Sequence, residues 1–408
     1  MIAALRGMKD IIDESPKFLH ILKAAIVSAE RFGFSYIQTP HLEETALFKR
    51  SVGEGSDIVG KEMYQFMDKG GNDVCLRPEG TAGVVRAFIE KKLDRAGGIN
   101  RFYYHGSMFR YERPQKGRLR SFHQFGVESF GHNCVYEDVN IILLAARIFE
   151  ILEIKSTLKI NSLGCEKCMP NYREKLVTFL ANCGGKICED CLRRKDTNPI
   201  RALDCKNEDC QKIYENAPLI TDNLCSECKE DFEKLQDILK LSKVDFTIDK
   251  KLVRGLDYYN KTAFEFVSGE IGAQAAIAGG GRYDRLVETL GGKKTAAIGF
   301  AIGIERIYDL VKVGENDRAG IYIGALDAAA IDDIFIAANE LRKINKVLIE
   351  YEPKKLVNHL KTADKLNARY CAVIGKDEMA NQEIWIKNLI DKSEKKVKLS
   401  EWIGSEHL

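Results

Sequence analysis

The sequence has 408 residues, and its 62 Lys and Arg residues nearly balance its 60 Asp and Glu residues, so the formal net charge is only +2. This length predicts two or three domains. The charge balance gives no indication of nucleic-acid or membrane-surface binding through overall charge. Hydrophobic residues make up 45% of the chain, which is enough for a buried core and excludes a disordered or fibrous protein.

No segment has the composition of a membrane span or of a secretory signal. The longest stretches without a charged residue, 32–42 and 271–281, each have 11 residues, whereas a helix that crosses a bilayer needs about 20 apolar residues. The N-terminal region contains Asp10, Asp13 and Glu14 and has no apolar run of the kind found in signal peptides. We therefore expect a soluble, cytosolic protein without membrane association.

The first elements in chain order mix helix and strand. Apolar residues recur at helical spacing over residues 15–32, and a short strand over 36–40 ends at a proline. Two aromatic-rich runs, 101–109 and 122–130, predict half-buried strands joined by a charged loop. The buried face of the first helix is predicted to contain Phe18, Leu19, Leu22, Ala25, Ile26 and Ala29.

A cysteine-rich segment is predicted to interrupt the domain that these elements form. A helix over 139–152 leads to residues 163–241, which contain nine of the 12 cysteines and are mainly helical. From 252 to 310 the sequence returns to short strands, glycines and aromatic residues. This order indicates an insertion within a single domain.

After residue 319 the pattern changes to alternating strand and helix, which is typical of βαβ units. Residues 317–320 are the predicted linker. The predicted strands are 321–323, 347–351 and 370–374, the helices are 328–343 and 354–366, and a hairpin over 383–389 and 396–399 ends the chain.

The cysteines of the insertion have the spacing of metal ligands. Three Cys-x₂-Cys pairs and a looser fourth pair lie within it, and residues 163–241 contain no histidine. Reduced thiols are expected in a long chain without a secretory signal, so a zinc site here would be all-cysteine, closed and structural. Unmetallated thiols remain the alternative. The candidate ligands are Cys165, Cys168, Cys188, Cys191, Cys205, Cys210, Cys225 and Cys228.

The loop between the two aromatic-rich runs is basic. Guanidinium groups donate paired, charge-assisted hydrogen bonds to phosphate oxygens, and Phe122 could offer a ring on which a base stacks. A solvated hairpin tip explains the same pattern equally well. The basic residues are Arg110, Arg113, Lys116, Arg118 and Arg120.

Three further clusters could bind a ligand. Arg254 precedes Tyr258 and Tyr259 in a stretch that reads as strand-like. Three glycines at 279–281 permit close backbone approach, although a tight turn is the favoured interpretation. Residues 299–306 read as a small-residue strand that runs into a helix, and simple packing of the helix on a sheet is the alternative there.

Together these segments resemble the histidyl-tRNA synthetase family of class II aminoacyl-tRNA synthetases. Residues 109–112 resemble the second motif of that class, Gly299 with 303–306 resembles the third, and Thr39-Pro40 with Glu43 resembles the first. Residues 254–259 and 279–284 resemble the two signatures peculiar to the histidine enzymes. Further matches are 6–10, 76–81 and 122–128, so the resemblance covers essentially the whole chain.

The resemblance implies an α+β catalytic domain on a mainly antiparallel sheet at residues 1–318, interrupted by the Cys-rich, mainly helical insertion at 163–241. An α/β anticodon-binding domain is implied at 319–408. A homodimer is implied as well, because catalytic domains of this type pair through the first motif.

The implied activity is that of a histidine–tRNA ligase. Histidine and ATP, with Mg²⁺, give histidyl-adenylate and pyrophosphate, and the histidyl group then moves to the 3′ end of its tRNA. The resemblance makes Arg254, Arg110 and Gln124 the catalytic residues. It makes Arg110, Glu112, Phe122 and Arg306 the ATP-binding residues, with Arg113 and Gln115 facing the tRNA acceptor end.

The implied histidine pocket contains Glu79, Gly80, Thr81, Gln124, Glu128, Arg254, Tyr258, Tyr259 and Tyr283. Glu128 and Tyr259 would hold the ring nitrogens, because buried polar groups that must pair with imidazole reject apolar analogues. For Glu128 the alternative is a ladder residue on the solvent face of a strand.

Two other functions remain to be tested. A catalytically inactive relative of this fold serves as the regulatory subunit of ATP phosphoribosyltransferase and senses histidine without touching tRNA. Such a protein is expected to lack the terminal domain and the arginines of the adenylation site, whereas Arg110, Arg254 and Arg306 are present here. A non-catalytic tRNA-sensing module is the third possibility, but no kinase-like segment is attached.

Overall fold

The computed structural model describes residues 2–53, 56, 58–205, 207–270, 276–312 and 318–403. The chain divides into two compact units, Met1–Lys312 and Val313–Leu408. Within the described residues, no helix is both long enough and apolar enough to cross a membrane.

The helices of the first unit are α1 (Ser15–Arg31), α2 (Thr45–Val52), α3 (Thr81–Glu90), α4 (Leu93–Ala96), α5 (Val135–Ile151), α6 (Met169–Cys183), α7 (Glu189–Thr197), α8 (Glu208–Ile213), α9 (Ser226–Leu241), α10 (Leu286–Thr289) and α11 (Ile304–Ile307). Its strands are β1 (Ser35–Tyr36), β2 (Leu42–Glu44), β3 (Tyr64–Met67), β4 (Asp73–Leu76), β5 (Asn100–Phe109), β6 (Ser121–Phe130), β7 (Thr157–Ser162), β8 (Phe246–Ile248), β9 (Asn260–Val267), β10 (Ala276–Arg282) and β11 (Ala297–Gly303).

An eight-stranded sheet forms the body of this unit, in the order β1-β5-β6-β11-β10-β9-β7-β8. Its inner neighbours are antiparallel, and only the edge pairs β1–β5 and β7–β8 are parallel. The prediction of a mainly antiparallel catalytic sheet is therefore confirmed. Strands β2, β4 and β3 form a separate three-stranded sheet that the sequence patterns did not predict.

The first helix is confirmed, but part of its predicted apolar face is wrong. Leu19 is 62% exposed, whereas Ile21 and Ala24 are buried. The buried stripe includes Leu22, Ala25 and Ala29 as predicted, and it continues through Ser28, whose hydroxyl donates to Ala24 O at 2.7 Å. A polar residue can lie in this stripe because its hydrogen bond is satisfied within the helix.

Several predicted boundaries shift in the structure. The strand predicted at 36–40 is limited to Ser35–Tyr36, since the ladder with β5 stops well before Pro40, which has no N–H to donate. The helix predicted from 139 begins at Val135, after an extended Cys134. The first turn of that helix contains Glu137 and Asp138, and acidic residues are favourable at a helix N-terminus.

Two of the candidate ligand segments have a different local structure from the one predicted. Residues 254–259 form a loop with turns, and β9 begins only at Asn260. The glycines at 279–281 lie within β10 rather than in a tight turn. β10 is flanked by β9 and β11. Because its glycines have no side chain, bulky side chains from neighbouring segments can pack closely against β10.

The described part of the insertion contains α6 to α9 and four short 3₁₀ helices between them, including Pro199–Asp204. Its buried cluster combines aromatic and aliphatic side chains with cysteines, among them Tyr172, Leu176, Leu180, Cys191 and Cys210. This segment is mainly helical, as predicted.

The second unit is an α/β fold, as predicted. Its strands are β12 (Ile321–Ala325), β13 (Val347–Glu350), β14 (Tyr370–Ile374), β15 (Glu383–Asn388) and β16 (Glu394–Lys398). Its helices are α12 (Ile331–Leu341), α13 (Leu356–Lys365), α14 (Lys376–Ala380) and α15 (Leu399–Ile403). The sheet order is β13-β12-β14-β15-β16, with the first three strands parallel. Residue 317 of the predicted linker lies outside the described residues.

Candidate active site

One face of the large sheet places small residues beside polar ones. Gln124, Gly126 and Glu128 of β6 share a face, because successive side chains along a strand point to opposite sides. Gly303 of β11 pairs with Gln124, and Gly299 pairs with Glu128. Since glycine carries no side chain, this face retains space for a ligand beside its polar groups.

Glu128 is the most enclosed acid on this face, with 1% of its surface exposed. Its carboxylate accepts hydrogen bonds from Thr81 Oγ1 at 2.7 Å, from Tyr104 Oη at 3.3 Å and from Tyr283 Oη. Burial raises the pKa of Glu128 to about 8. The alternative of a solvent-facing ladder residue is therefore wrong. A carboxylate offers about four acceptor positions, so a ligand can still donate to this one.

Glu79 and Gln124 lie at the edge of the same pocket. The carboxylate of Glu79 accepts from the backbone N–H groups of Thr81 at 2.6 Å and Ala82 at 2.9 Å, at the start of α3. Burial raises the pKa of Glu79 as well. In the described part of the chain, the buried Oε1 of Gln124 has no hydrogen-bond partner. Unpaired buried acceptors are uncommon, so this atom indicates a ligand position.

Arg254 is held by an acid and a ring on neighbouring elements. Its Nη1 donates to Glu265 Oε1 at 2.7 Å, and its Cζ lies 5.8 Å from the centroid of the Tyr259 ring. A Cβ at Gly279 would lie 1.9 Å from Arg254 Nη2, so β10 admits this guanidinium only because position 279 is glycine. The buried Nε of Arg254 has no partner among the residues described, which leaves a donor for a ligand.

Arg110 and Arg306 bring further positive charge to the site. Arg110 Nε donates to Pro78 O at 2.8 Å, and its Cζ lies 5.4 Å from the centroid of the Phe122 ring. Burial, together with the charges of Arg118 and Arg110, lowers the pKa of Arg306 to about 10. Guanidinium groups that disfavour one another in this way are stabilised by a bound anion.

Glu112 partly balances these arginines. Its carboxylate lies 2.9 Å from Arg118 Nη1 and 3.8 Å from Arg110 Nη1. On this side of the cavity Arg110, Arg118 and Arg306 thus lie around the carboxylate of Glu112 and beside the Phe122 ring, an arrangement suited to a nucleotide.

Most of the predicted site residues line one cavity of about 210 Å³. They are Glu79, Thr81, Arg110, Glu112, Phe122, Gln124, Arg254, Tyr258, Tyr259 and Arg306. Glu128 and Tyr283 lie directly behind the wall of the cavity. Glu128 accepts hydrogen bonds from Tyr283 and from Thr81 and Tyr104, which line the cavity. Gly80 carries no side chain, and a Cβ there would lie 2.2 Å from the Tyr104 ring.

A larger cleft of about 1050 Å³ borders the insertion and shares Tyr258 and Tyr259 with this cavity. Its lining includes none of Arg110, Arg254 and Arg306. All three of these arginines line the smaller cavity, which is therefore the candidate site.

Arg113 and Gln115 lie outside the cavity. Both are exposed in the loop between β5 and β6, where the backbones of Gln115 and Arg118 exchange hydrogen bonds of 3.0 and 2.9 Å. The two interpretations of the basic loop therefore apply to different residues. Arg110 and Arg118 line the cavity, whereas Arg113 belongs to a solvated tip.

The sequence patterns missed two residues of the site and gave Arg118 no specific role. Tyr104 lies opposite Gly126 in the β5–β6 pair, and Glu265 lies opposite Gly279 in the β9–β10 pair. Tyr104 and Glu265 thus each lie opposite a glycine on the neighbouring strand. The strand register identifies both residues, but the sequence patterns do not give that register.

The eight predicted zinc ligands form two separate clusters. The outer cluster consists of Cys165, Cys168, Cys225 and Cys228, and the inner cluster of Cys188, Cys191, Cys205 and Cys210. In each cluster all four Sγ atoms lie within 4.8 Å of one another. Cys183, the ninth cysteine of the insertion, belongs to neither and donates its thiol to Phe179 O at 3.2 Å.

The sulfur spacing fits a tetrahedral metal. Cys165 Sγ lies 3.7 Å from Cys168 Sγ and 3.8 Å from Cys225 Sγ, and Cys188 Sγ lies 3.7 Å from Cys205 Sγ. Zn–S bonds of about 2.3 Å in a tetrahedron give S···S edges of about 3.8 Å, whereas a disulfide needs about 2.05 Å.

Backbone amides support the sulfur atoms in both clusters. Cys225 N donates to Cys168 Sγ at 3.1 Å, and Cys188 N donates to Cys210 Sγ at 3.2 Å. Such donors stabilise thiolates around a metal. The residues therefore fit Zn²⁺ in both clusters.

Comparison with known proteins identifies the family. The family model described as Histidyl-tRNA synthetase matches residues 7–307, and the one described as Anticodon binding domain matches residues 319–404. The chain is 62% identical over 398 residues to a histidine–tRNA ligase of Sulfurimonas denitrificans, with 97% of this chain and 99% of the relative covered. It is 61% identical over 402 residues to that of Campylobacter concisus, with 98% of each chain covered.

The fold agrees with these sequence matches. The crystal structure of apo histidyl-tRNA synthetase from S. aureus superposes with a TM-score of 0.82 at 33% identity, with 99% of each chain covered. Proteins of this family are histidine–tRNA ligases, which use ATP to join histidine to tRNA in two steps. The enzyme class predicted from the sequence is confirmed: the chain belongs to the histidyl-tRNA synthetase family.

Proposed function

We propose that the 210 Å³ cavity forms histidyl-adenylate from histidine and MgATP, and that the histidyl group is then transferred to the 3′ end of its tRNA. A carboxylate oxygen of histidine attacks the α-phosphorus, and the bond to pyrophosphate breaks. The next step transfers the histidyl group to a terminal ribose hydroxyl with release of AMP. The convergence of Arg110, Arg254 and Arg306 beside the pocket of Glu128 carries this proposal.

The arginines supply the charge that adenylate formation needs. Negative charge develops on the phosphoryl oxygens during the in-line displacement, and fixed donors aimed at it lower the barrier. Arg110 binds the α-phosphate, and Arg254 neutralises it from another side while holding the carboxylate of histidine. The unpaired Nε of Arg254 is a donor available for that contact.

The pocket behind them selects histidine. A neutral imidazole presents one N–H donor and one acceptor nitrogen. Glu128 accepts from the N–H, and Tyr259, whose pKa burial raises to about 12, donates to the other nitrogen. Tyr258 and Tyr283 enclose the ring, whereas Glu79, Thr81 and Gln124 bind the α-amino group.

The nucleotide occupies the arginine side of the cavity. Phe122 stacks on adenine, while Arg306 faces the other side of the base or the γ-phosphate. Glu112 and nearby backbone groups bind the adenine amine. Magnesium accompanies the phosphates of ATP as part of the substrate.

The remaining assignments extend this function to tRNA. Arg113 and Gln115, exposed in the β5–β6 loop, contact the acceptor end. We assign residues 1–318 to the catalytic domain, 163–241 to its insertion and 319–408 to the anticodon-binding domain. The enzyme works as a cytoplasmic homodimer that pairs through the segment of Thr39, Pro40 and Glu43.

The two cysteine clusters hold structural zinc, one ion in each. Four thiolates at tetrahedral spacing leave no open coordination position, so the metal stabilises the insertion and takes no part in the reaction. Bound zinc supplies folding free energy to a segment with a small core.

Histidine-dependent ATP–pyrophosphate exchange tests the proposed site. Exchange supported by histidine and by no other amino acid, followed by charging of histidine tRNA, is the expected result. Folded protein that binds histidine without catalysing exchange would favour the regulatory subunit instead.

A further inference from the structure

The insertion contacts the residues on both sides of Arg254. Arg201, in the 3₁₀ helix Pro199–Asp204, donates through Nη2 to Gly255 O at 2.7 Å. Val253 packs against the buried cluster of the insertion, which includes Cys191 and Cys205. The residues immediately before and after Arg254 are thus both held by the insertion.

A second contact lies two residues further along this loop. Asn198 and Asp257 line the same cleft. Burial raises the pKa of Asp257, and the nearby side chains of Arg201 and Asn198 oppose that rise. Asn198 and Arg201 both belong to the stretch of chain between Cys191 and Cys205. The two cysteines that flank this stretch are ligands of the inner cluster.

At the other end of this loop, Lys261 contacts residues next to the outer cluster. Lys261 exchanges backbone hydrogen bonds with Leu163 at 2.6 Å and Gly164 at 2.8 Å, directly before Cys165. Its ammonium lies 3.1 Å from Glu227 and 3.0 Å from Asp231 on α9, the helix that contains Cys228. Residues 253–261 therefore span from one cluster to the other.

The geometry of Arg201 depends on the inner cluster. Its 3₁₀ helix has six residues and follows the nine-residue helix α7, and helices of that length are marginal on their own. Closing Cys188 and Cys191 onto Cys205 and Cys210 with a metal removes most of the conformational freedom of the chain between them. Without a metal in the inner cluster, Arg201 would become more mobile and its hydrogen bond to Gly255 O would weaken.

We infer that zinc in the inner cluster positions Arg254 for adenylate formation, and that Arg201 is the positioning residue that connects the two. This inference rests on the zinc binding and the role of Arg254 proposed above. It assigns to a structural metal outside the cavity an influence on the first step of the reaction.

Four full-length variants, including the conservative R201K, test the inference beside the wild-type enzyme, all purified without chelators. In C188S/C191S the inner cluster loses two ligands, and in R201A the contact to Gly255 is removed while both clusters stay intact. C183S is the matched control, because Cys183 lies in the insertion outside both clusters. Elemental analysis is expected to give two zinc ions per chain in the wild type, R201A and C183S, and one in C188S/C191S.

Two measurements report on the mobility of residues 252–259 and on the rate of adenylate formation. Amide hydrogen exchange over residues 252–259 is expected to be at least tenfold faster in C188S/C191S and R201A, with β6 unchanged. Their kcat for pyrophosphate exchange is expected to fall 10- to 100-fold, while KM for ATP changes less than threefold because Arg110 and Arg306 remain in place. R201K retains a charged donor and is expected to recover to within threefold of the wild type, and C183S to match it.

Several outcomes would overturn the inference. R201A with two zinc ions, wild-type hydrogen exchange and wild-type kcat would do so alone, even if C188S/C191S failed to fold. Loss of one zinc without change at 252–259 would also do so. Wild-type protein with less than 0.2 zinc per chain would remove the zinc proposal and the inference together. Zinc-loaded wild type without pyrophosphate exchange would instead contradict the proposed function.

Discussion

Gly299 and Glu128 face each other across the β6–β11 pair, and a Cβ on residue 299 would lie 1.9 Å from Glu128 Oε2. The same Cβ would lie 2.3 Å from the carbonyl oxygen of Val127. No side chain can be added here without moving the carboxylate that is proposed to bind imidazole. Gly299, which resembles part of the third motif of the family, therefore leaves the space that the Glu128 carboxylate occupies in the proposed histidine pocket.

Substitution G299A is expected to lower kcat/KM for histidine in pyrophosphate exchange by at least 100-fold, because a displaced Glu128 loses its hydroxyl donors. G269A is the matched control, since a Cβ at Gly269 meets no atom within 4 Å. Equal activity of G299A and G269A would show that this pocket tolerates a shift of Glu128.

Arg254 is expected to act mainly on the chemical step. Removal of a preorganised donor from a developing charge typically costs 10²–10³-fold in rate, roughly 3–4 kcal/mol, so R254A should lower the kcat of pyrophosphate exchange by about 10³-fold. R254K keeps the charge and loses the forked geometry, and an intermediate rate is expected. R147A, which disrupts an exposed ion pair on α5, should retain wild-type exchange. A wild-type kcat in R254A would exclude the proposed role.

The pKa of Glu128 predicts a pH-dependent stability. Folding raises this pKa from 4.5 to about 8, so the folded state binds the proton more tightly. The resulting stabilisation is complete below pH 4.5 and is lost as the pH rises through about 8. E128Q remains neutral at every pH. The wild type is therefore expected to lose stability relative to E128Q between pH 5 and pH 9, on the order of 4 kcal/mol.

Urea unfolding of both proteins at several pH values measures this difference. Glu79 and the other ionisable groups are shared, so their contributions largely cancel between the two proteins. A difference in unfolding free energy that is independent of pH would show that Glu128 is ionised throughout. E128Q should also weaken histidine-dependent exchange, because the amide keeps one acceptor oxygen for the ring N–H but loses the second acceptor oxygen and the negative charge.

The hydroxyl groups around Glu128 are expected to differ in importance. Tyr283 makes a closer contact with the carboxylate than Tyr104, whose Oη lies 3.3 Å away. Removing one partner of a buried charged group costs about 1–3 kcal/mol. Y283F should raise KM for histidine about tenfold or more, and Y104F about two- to threefold. The reverse order would mean that Tyr104 moves closer when histidine binds.

Much of the site could be predicted from the sequence because its residues lie in local motifs. Arg110, Phe122 and Gln124 lie in or directly beside the long β5–β6 hairpin, whose strands the aromatic pattern placed within one residue of their bounds. Glu128 follows four residues after Gln124 and thus points to the same side. Such patterns can be recognised in the sequence because the spacing of residues within a strand determines which face of the sheet each side chain points to.

What could not be predicted depends on contacts between distant segments. Glu265 meets Arg254 only because Gly279 of β10 lies beside both, and no local pattern fixes that register. Adjacent glycines such as 279–281 favour a tight turn because they permit positive φ, yet here they lie in β10, where neighbouring side chains pack closely against them. The pairing of cysteines into outer and inner clusters is another tertiary property, since the spacing alone allows other partners.

Arg113 and Gln115 are expected to affect only the step that uses tRNA. Both side chains are exposed outside the cavity, so R113A and Q115A should leave the kcat and KM of pyrophosphate exchange within twofold of the wild type. Loss of a contact to the phosphate backbone or acceptor end should raise KM for tRNA in charging assays about fivefold or more for R113A, with a smaller effect for Q115A. Because phosphate contacts weaken with salt, the defect of R113A should shrink as the salt concentration rises.

The neighbouring residue Lys116 provides the control for this loop. It pairs with Asp309 at 3.0 Å across exposed surface, so K116A removes a positive charge from the same loop without removing Arg113. If R113A and K116A raised KM for tRNA equally, the loop would act through its overall charge rather than through a specific contact. If R113A instead slowed pyrophosphate exchange, the loop would have to reach the cavity during the first step. Charging kinetics at two salt concentrations, measured beside pyrophosphate exchange on the same preparations, separate these outcomes.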